Sequence, residues 1–179
     1  MSLQALNPIT LPLRGLQVIE ASAGTGKTYT LAALYVRLVL GHGRAQGPLT
    51  PPEILVMTFT EAATAELRDR IRLRLTQAAQ DFRSSQEPTD PFLRELKYSI
   101  EPQAWPACAA RLDQAAQWMD EAAIFTIHGW SSRMLRQHAF DSSSLFEQST
   151  VQDSEAMRLQ AAADYWRQWY YPLNEAELG

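Results

Sequence analysis

Glu20-Ala21-Ser22-Ala23-Gly24-Thr25-Gly26-Lys27-Thr28 is the stretch on which the reading of this chain turns. An apolar run from Leu16 to Ile19 precedes it and predicts a strand. A helix pattern leaves from Thr28, with Leu31, Leu34 and Leu38 accompanied by Ala32, Tyr35 and Val39. Strand, glycine-bearing loop and helix, in that order, form the context of a phosphate-binding loop. Gly24 and Gly26 let the backbone curl so that successive N–H groups point at phosphate oxygens, and the helix N-terminus adds partial positive charge. In such a loop Lys27 reaches the β- and γ-phosphates and the Thr28 hydroxyl ligates Mg²⁺. The nucleotide-holding set is then Ala21, Ser22, Ala23, Gly24, Thr25, Gly26, Lys27 and Thr28, with Lys27 also meeting the charge that develops on the transferred phosphate. Ala21 stands where the pattern G-x-x-x-x-G-K-[ST] has its first glycine, and alanine adds little bulk there. The competing reading is a glycine-rich turn beside a chance Lys-Thr; the chain has only two lysines, Lys27 and Lys97, which weighs against chance.

The 179 residues suffice for one domain with a sizeable core and the beginning of a second. A formal net charge of -4 gives no overall basic field, so any nucleic-acid site has to be a local stripe. The single Cys108 excludes an intrachain disulfide framework and fits a reducing compartment. No apolar run approaches the roughly 20 residues of a membrane span. Met1 to Thr10 lacks the order of a secretion signal. A cytoplasmic protein is expected.

Pro8, Pro12 and Gly15 mark an extended lead-in, and Gly41 and Gly43 supply a stop after the first helix. Gly47, Pro48, Pro51 and Pro52 mark a loop. Ile54 to Phe59 reads as a second buried strand, so that strand, helix and strand make a right-handed crossover unit. From Glu61 the period becomes helical: Leu67, Ile71 and Leu75 form one apolar stripe, Thr60 is the expected N-cap, and Glu61 lies in the first turn. Arg68, Arg70, Arg72 and Arg74 fall on the other faces, either as a solvated face balanced by Glu61, Glu66 and Asp69 or as part of a phosphate-backbone track. Residues 84 to 106 read as a turn-rich insert around a short helix, and Ala107 to Met119 as a helix. Ile124 to Ile127 reads as a third strand, and His128 to Phe140 as a helix broken by Asp141-Ser142-Ser143-Ser144. Met157, Ala161, Tyr165 and Trp169 predict a long amphipathic helix ending before Pro172.

Two further stretches repeat one arrangement. Val56-Met57-Thr58-Phe59-Thr60-Glu61-Ala62-Ala63-Thr64-Ala65-Glu66-Leu67 places Thr-Phe-Thr at the C-terminal end of a strand, where open α/β sheets meet their ligands. Phe59 can contact a base, and Thr58 and Thr60 can donate to phosphate. Ile124-Phe125-Thr126-Ile127-His128-Gly129-Trp130 again carries strand end, Thr, His, Gly and an aromatic. A phosphate loop, T-F-T-x-x-A-A-x-x-E-L and F-T-I-H-G-[aromatic], in this order, resemble the UvrD type of superfamily 1 helicases. In more detail, the loop wording, Phe-Thr-Glu-Ala-Ala-Thr-Ala-Glu-Leu and Met119-Asp120-Glu121-Ala122-Ala123 resemble the RecB family, the beta subunits of exodeoxyribonuclease V. Leu145-Phe146-Glu147-Gln148 and Tyr171-Pro172-Leu173 extend the likeness along nearly the whole chain.

The resemblance implies an α/β fold: a partial RecA-like parallel sheet with flanking helices, plus the start of a helical insertion. Residues 1–140 would be the front of motor domain 1A, with a helical insert at about 84–120, and residues 141–179 the start of subdomain 1B. It implies ATP and Mg²⁺ as cofactors and a 3′ to 5′ motor that unwinds duplex DNA. It also implies gamma (RecC) and alpha (RecD) subunits as partners in double-strand break repair. Thr58, Phe59, Thr60, Thr126 and His128 would line the single-stranded DNA track.

Hydrolysis needs a carboxylate pair on a strand beside the phosphate loop. Asp120-Glu121 is the sole Asp-Glu pair; the helical pattern before it marks a helix-terminal surface charge. The Walker B carboxylates, the later arginines of the motor and any nuclease cluster are expected outside this sequence, which then reads as an N-terminal fragment that alone binds nucleotide weakly and does not turn it over. His128 competes with a helix-cap reading, His42 and His138 read as surface, and Cys108 as a small buried apolar residue. Tyr165, Trp166, Trp169, Tyr170 and Tyr171 read as a packed subdomain core ahead of a base-stacking surface. Two rival functions remain: a P-loop kinase for a small metabolite, which has no use for two threonine-bearing strand ends, and an ATP-gated assembly module binding a protein through the aromatic face.

Overall fold

The computed structural model describes residues 6–22, 24–138 and 155–169. The chain divides into two compact units, Met1–Arg133 and Met134–Gly179. The described elements run α1 (Lys27–Leu40), β1 (Val56–Thr58), α2 (Glu61–Arg83), α3 (Pro91–Tyr98), α4 (Trp105–Gln117), β2 (Ile124–Thr126), α5 (Ile127–Gln137) and α6 (Glu155–Trp169). The described residues are therefore rich in helix, with one small sheet among them: β1 and β2 pair in parallel, Val56 opposite Ile124, Met57 opposite Phe125 and Thr58 opposite Thr126.

The helices form as their capping residues and periodicity direct. Thr60 is extended and its Oγ1 accepts the Ala63 N–H at 3.1 Å, so α2 starts where an N-cap was expected. Leu67, Ile71 and Leu75 are buried, and the same stripe continues through Ala78, Ala79 and Phe82. Against it pack Ala33, Tyr35, Val36 and Val39 of α1 and Ala109, Leu112 and Ala115 of α4. Arg83 pairs with Asp113 and Arg72 with Asp120, so α4 runs antiparallel to α2.

Three strand expectations need correction. Leu16 to Ile19 form no strand: Leu16 is 89% and Val18 74% exposed on backbone outside any helix or ladder. A strand exists only as a ladder, and among the described residues β1 pairs with β2 alone, so this run has no edge to join. The second strand is shorter than Ile54–Phe59, because Pro51–Glu53 close a 3₁₀ turn and Thr60 already serves α2. The third stops at Thr126, because Ile127 opens α5.

The short helix expected in the insert is α3. Pro91 and Pro106 sit in the first turns of α3 and α4, and Pro102 in that of a 3₁₀ turn, so these prolines start helical turns. Phe92, Leu93, Leu96, Cys108 and Leu112 carry this segment into the main core. Lys97 is buried at 2% exposure. Its ammonium donates to the carbonyls of Asp81 (2.7 Å) and Ser84 (2.8 Å) at the end of α2 and lies 4.5 Å from the centre of the Trp105 ring. A cation on the last carbonyls of a helix satisfies acceptors that have no intrahelical donor.

His42 is not a surface residue. Its Nδ1 accepts from Arg37 Nε at 3.1 Å and its Nε2 lies 3.1 Å from Ser99 Oγ, tying the end of α1 to the end of α3. Buried Arg37 also donates to the carbonyls of Pro8 (2.6 Å) and Leu11 (2.8 Å), fastening the N-terminal lead-in. Cys108 is buried, as expected, and burial raises its thiol pKa.

In the second unit α6 carries Met157, Ala161, Tyr165 and Trp169 at the expected helical spacing, with the Tyr165 and Trp169 rings 6.4 Å apart. Ala23, Phe140, the Asp141-Ser144 break, Leu145-Phe146-Glu147-Gln148, Tyr170 and Tyr171-Pro172-Leu173 lie outside the described residues. No helix among those described is long and apolar enough to cross a membrane.

Candidate functional site

The loop before α1 is built around two residues of positive φ, Gly24 (78°) and Gly26 (86°). Both values lie in the left-handed region that glycine enters at no steric cost, and no atom stands within 4 Å of where a Cβ would project from either. Thr25 donates from its hydroxyl to the Ser22 carbonyl at 2.8 Å, closing the turn. Gly26 then caps α1, so Lys27 and Thr28 occupy the helix's first turn. The Lys27 ammonium folds back across the loop to the carbonyls of Ala21, at 3.0 Å, and Ser22. It lies on the exposed surface, and Thr28 is half-buried beside it. A loop whose own carbonyls hold its lysine offers a charge that an incoming anion can take over.

One residue further, Tyr29 enters a network that the sequence did not reveal. Its hydroxyl donates to the Asp90 carboxylate (3.0 and 3.1 Å) and accepts from Arg74 Nη2 at 3.0 Å. Arg74 also pairs with Asp90 at 2.8 Å, and its guanidinium stands 4.7 Å from the centre of the Tyr29 ring and 5.4 Å from that of Phe92. Burial pushes the Asp90 carboxyl up, but hydrogen bonds from Arg74, the Leu93 N–H and Tyr29, with the charge of Arg74, outweigh it and hold the group below the usual carboxylate range. A cavity of about 300 Å³ opens at this point, lined by Asn7, Pro8, Ile9, Tyr29, Phe92 and Glu95 among others. The signals available in the sequence were Asp90-Pro91, an N-cap followed by a first-turn proline, and the place of Tyr29 directly after Thr28.

The parallel register brings the two strand ends together, because Thr58 stands opposite Thr126. Phe59 projects from the first end at 89% exposure, and His128 is exposed at the second. Thr58 Oγ1 is 2.6 Å from Thr64 Oγ1, and Thr60 spends its hydroxyl on the α2 cap. Thr126 is 6% exposed; it donates to Glu61 at 3.0 Å and accepts the Gly129 N–H at 3.0 Å. Phe59 and His128 are thus presented to solvent, whereas Thr126 links β2, α2 and α5 from within.

The arginines of α2 are engaged inside the molecule. Arg68 donates to the Ile124 carbonyl at 3.3 Å, Arg70 pairs with Glu66 at 2.8 Å, Arg72 with Asp120 at 2.5 Å, and Arg74 with Asp90. Asp120 stands exposed in a 3₁₀ turn just before β2.

Comparison with known proteins bears on the same features. The UvrD/REP helicase N-terminal domain matches residues 1–174. The chain belongs to the UvrD/REP helicase family. Among members of known name, it is similar to the RecBCD enzyme subunit RecB of Escherichia coli (strain K12), 49% identical over 181 residues. That alignment covers 95% of this chain and 14% of that protein. RecB of Haemophilus influenzae is 45% identical over 178 residues, 94% of this chain and 14% of the relative. RecB of Buchnera aphidicola subsp. Acyrthosiphon pisum is 34% identical over 178 residues, 96% and 15%. This UvrD/REP helicase sequence therefore spans a small part of the length of the relatives it matches, and the likeness read from the three motifs is the one that the comparison finds.

Proposed function

We propose that the chain forms the ATP-binding front of an ATP-dependent 3′–5′ DNA helicase and exonuclease subunit that works, with RecC-like gamma and RecD-like alpha subunits, in repair of double-strand breaks. Residues 1–140 would belong to a RecA-like motor domain 1A and residues 141–179 to the start of a helical subdomain 1B. The observation that carries the DNA reading is the register of Thr58 on Thr126, which aims two threonine-bearing segments from one end of the sheet.

The donor set of the glycine loop fits a nucleoside triphosphate. Backbone N–H groups from Ala21 to Thr28, the N-terminus of α1 and the Lys27 ammonium would hold its phosphates, and the Thr28 hydroxyl would hold Mg²⁺. Bound Mg²⁺ supplies charge neutralisation at the phosphates. Lys27, released from the carbonyls of Ala21 and Ser22, would follow the charge on the transferred group. The cavity bordered by Tyr29 suits the base. Phe59 and His128 would stack or contact single-stranded DNA, with Thr58 and Thr60 beside them and Thr126 holding the second segment in place.

The test uses the complete native protein. Single-stranded oligonucleotide binding should weaken as salt rises and fall roughly tenfold on Phe59→Ala, within the range of base–aromatic stacking. It should fall also on His128→Ala, and Lys27→Ala should abolish DNA-stimulated ATP hydrolysis. Binding indifferent to both strand-end changes would overturn the DNA assignment.

A further inference from the structure

The Tyr29 side chain is more constrained than a surface tyrosine needs to be. Its hydroxyl uses both its proton and a lone pair, on Asp90 and Arg74, and the guanidinium of Arg74 covers one side of its ring. Tyr29, two residues beyond Lys27 in the chain, is still 43% exposed and forms part of the wall of the cavity. Three elements meet there: Tyr29 belongs to α1, Arg74 to α2, and Asp90 is the residue that caps α3, accepting the Leu93 N–H at 3.0 Å. Phe92 and Glu95, from the same short helix, complete that side of the cavity.

Base–aromatic stacking contributes most when the ring is already in place, because the rotamer entropy has been lost on folding and not on binding. A hydroxyl fixed by a charged pair achieves this. The carboxylate of Asp90 is the acceptor of the Tyr29 proton and also the counter-ion of Arg74, so both restraints on the ring depend on it.

We propose that Asp90 is a positioning residue of the nucleotide site: through Tyr29 and Arg74 it holds the platform on which the nucleobase lies, so that the helical insert sets affinity for the base while the glycine loop sets affinity for the phosphates. The inference rests on the phosphate-loop reading above. It assigns the segment between the two DNA-facing motifs a role in nucleotide selection.

The experiment separates base from phosphate. Binding of a non-hydrolysable ATP analogue and of inorganic tripolyphosphate, each with Mg²⁺, is measured calorimetrically on the complete native protein and on Tyr29→Ala, Tyr29→Phe, Asp90→Asn and Lys27→Ala. Asn at position 90 keeps an oxygen for the Leu93 N–H, and Phe at position 29 removes one hydroxyl, so both variants should fold. Tyr29→Ala should weaken the analogue roughly tenfold. Tyr29→Phe and Asp90→Asn should weaken it several-fold each, their combination no further than the stronger single change, and tripolyphosphate should bind all three unchanged. Analogue affinity that is unaltered by Asp90→Asn, or tripolyphosphate affinity that falls in parallel, would overturn the proposal. Tripolyphosphate binding that survives Lys27→Ala would overturn the phosphate-loop reading, and this one with it.

Discussion

The Thr126 hydroxyl donates to the Glu61 carboxylate at 3.0 Å, joining the end of β2 to the first turn of α2 across 65 positions of sequence. The same oxygen accepts the Gly129 N–H; Thr126 itself is buried, while Glu61 is exposed and Gly129 half-buried. Thr126→Val keeps the shape and removes the hydroxyl that both partners use. It should destabilise the protein by about 0.5–1.5 kcal/mol, the net worth of an ordinary hydrogen bond, because the exposed Glu61 carboxylate can turn to water, whereas Thr126→Ser should recover most of that. Urea denaturation of the two variants decides; a valine variant as stable as the parent would deny the hydroxyl this role.

Asp90 titrates below the ordinary carboxylate range, its burial being outweighed by the hydrogen bonds and charge around it. Its folded pKa is thus lower than the unfolded value near 3.9. The stabilisation it gives is complete above that value and disappears as pH falls through the folded pKa. Melting temperatures of the parent should exceed those of Asp90→Asn at neutral pH, and the gap should close in acid. A gap independent of pH would mean that ionisation of Asp90 contributes nothing.

Lys97 donates to the terminal carbonyls of α2 from a buried position. Lys97→Met retains the stem and loses the donors, so two carbonyls are left without them. The expected loss is about 1–3 kcal/mol, with faster amide exchange confined to the last turn of α2 and the segment after it. Unchanged exchange there would show that the ammonium does not cap the helix.

His42 has its pKa lowered by burial and then by the charge of Arg37. Because Nδ1 accepts from Arg37, the neutral ring carries its proton on Nε2, which points to Ser99. The unfolded chain takes up a proton near pH 6.5 and the folded chain only below that. Stability should therefore be level above about pH 6.5 and decline as pH falls below it. Denaturation midpoints between about pH 5 and 8 should show this slope in the parent and not in His42→Gln; a parent without the slope would contradict the assignment.

What could be read from the sequence was local. Thr60 announced its own helix, the stripe of Leu67, Ile71 and Leu75 announced its buried face, and the loop from Ala21 to Thr28 contained its glycines at the positions that need positive φ. What could not be read was tertiary. Arg37 is buried because the carbonyls of Pro8 and Leu11 return to it, a fact no periodicity encodes. Arg74 looked like one arginine of a charged face, yet its partners Tyr29 and Asp90 lie on other helices. The prolines of the insert were ambiguous in themselves, since the residue that ends one helix also begins another. Leu16 to Ile19 had the composition of a strand but not the neighbour that would make it one.

α2 runs without a break from its cap at Thr60 past Arg74, and each residue of an α-helix turns the chain by about 100°. Adding or deleting one residue between those two positions would leave the cap intact and swing Arg74 away from Asp90 and Tyr29. A chain that keeps this clamp must therefore keep the length of that stretch.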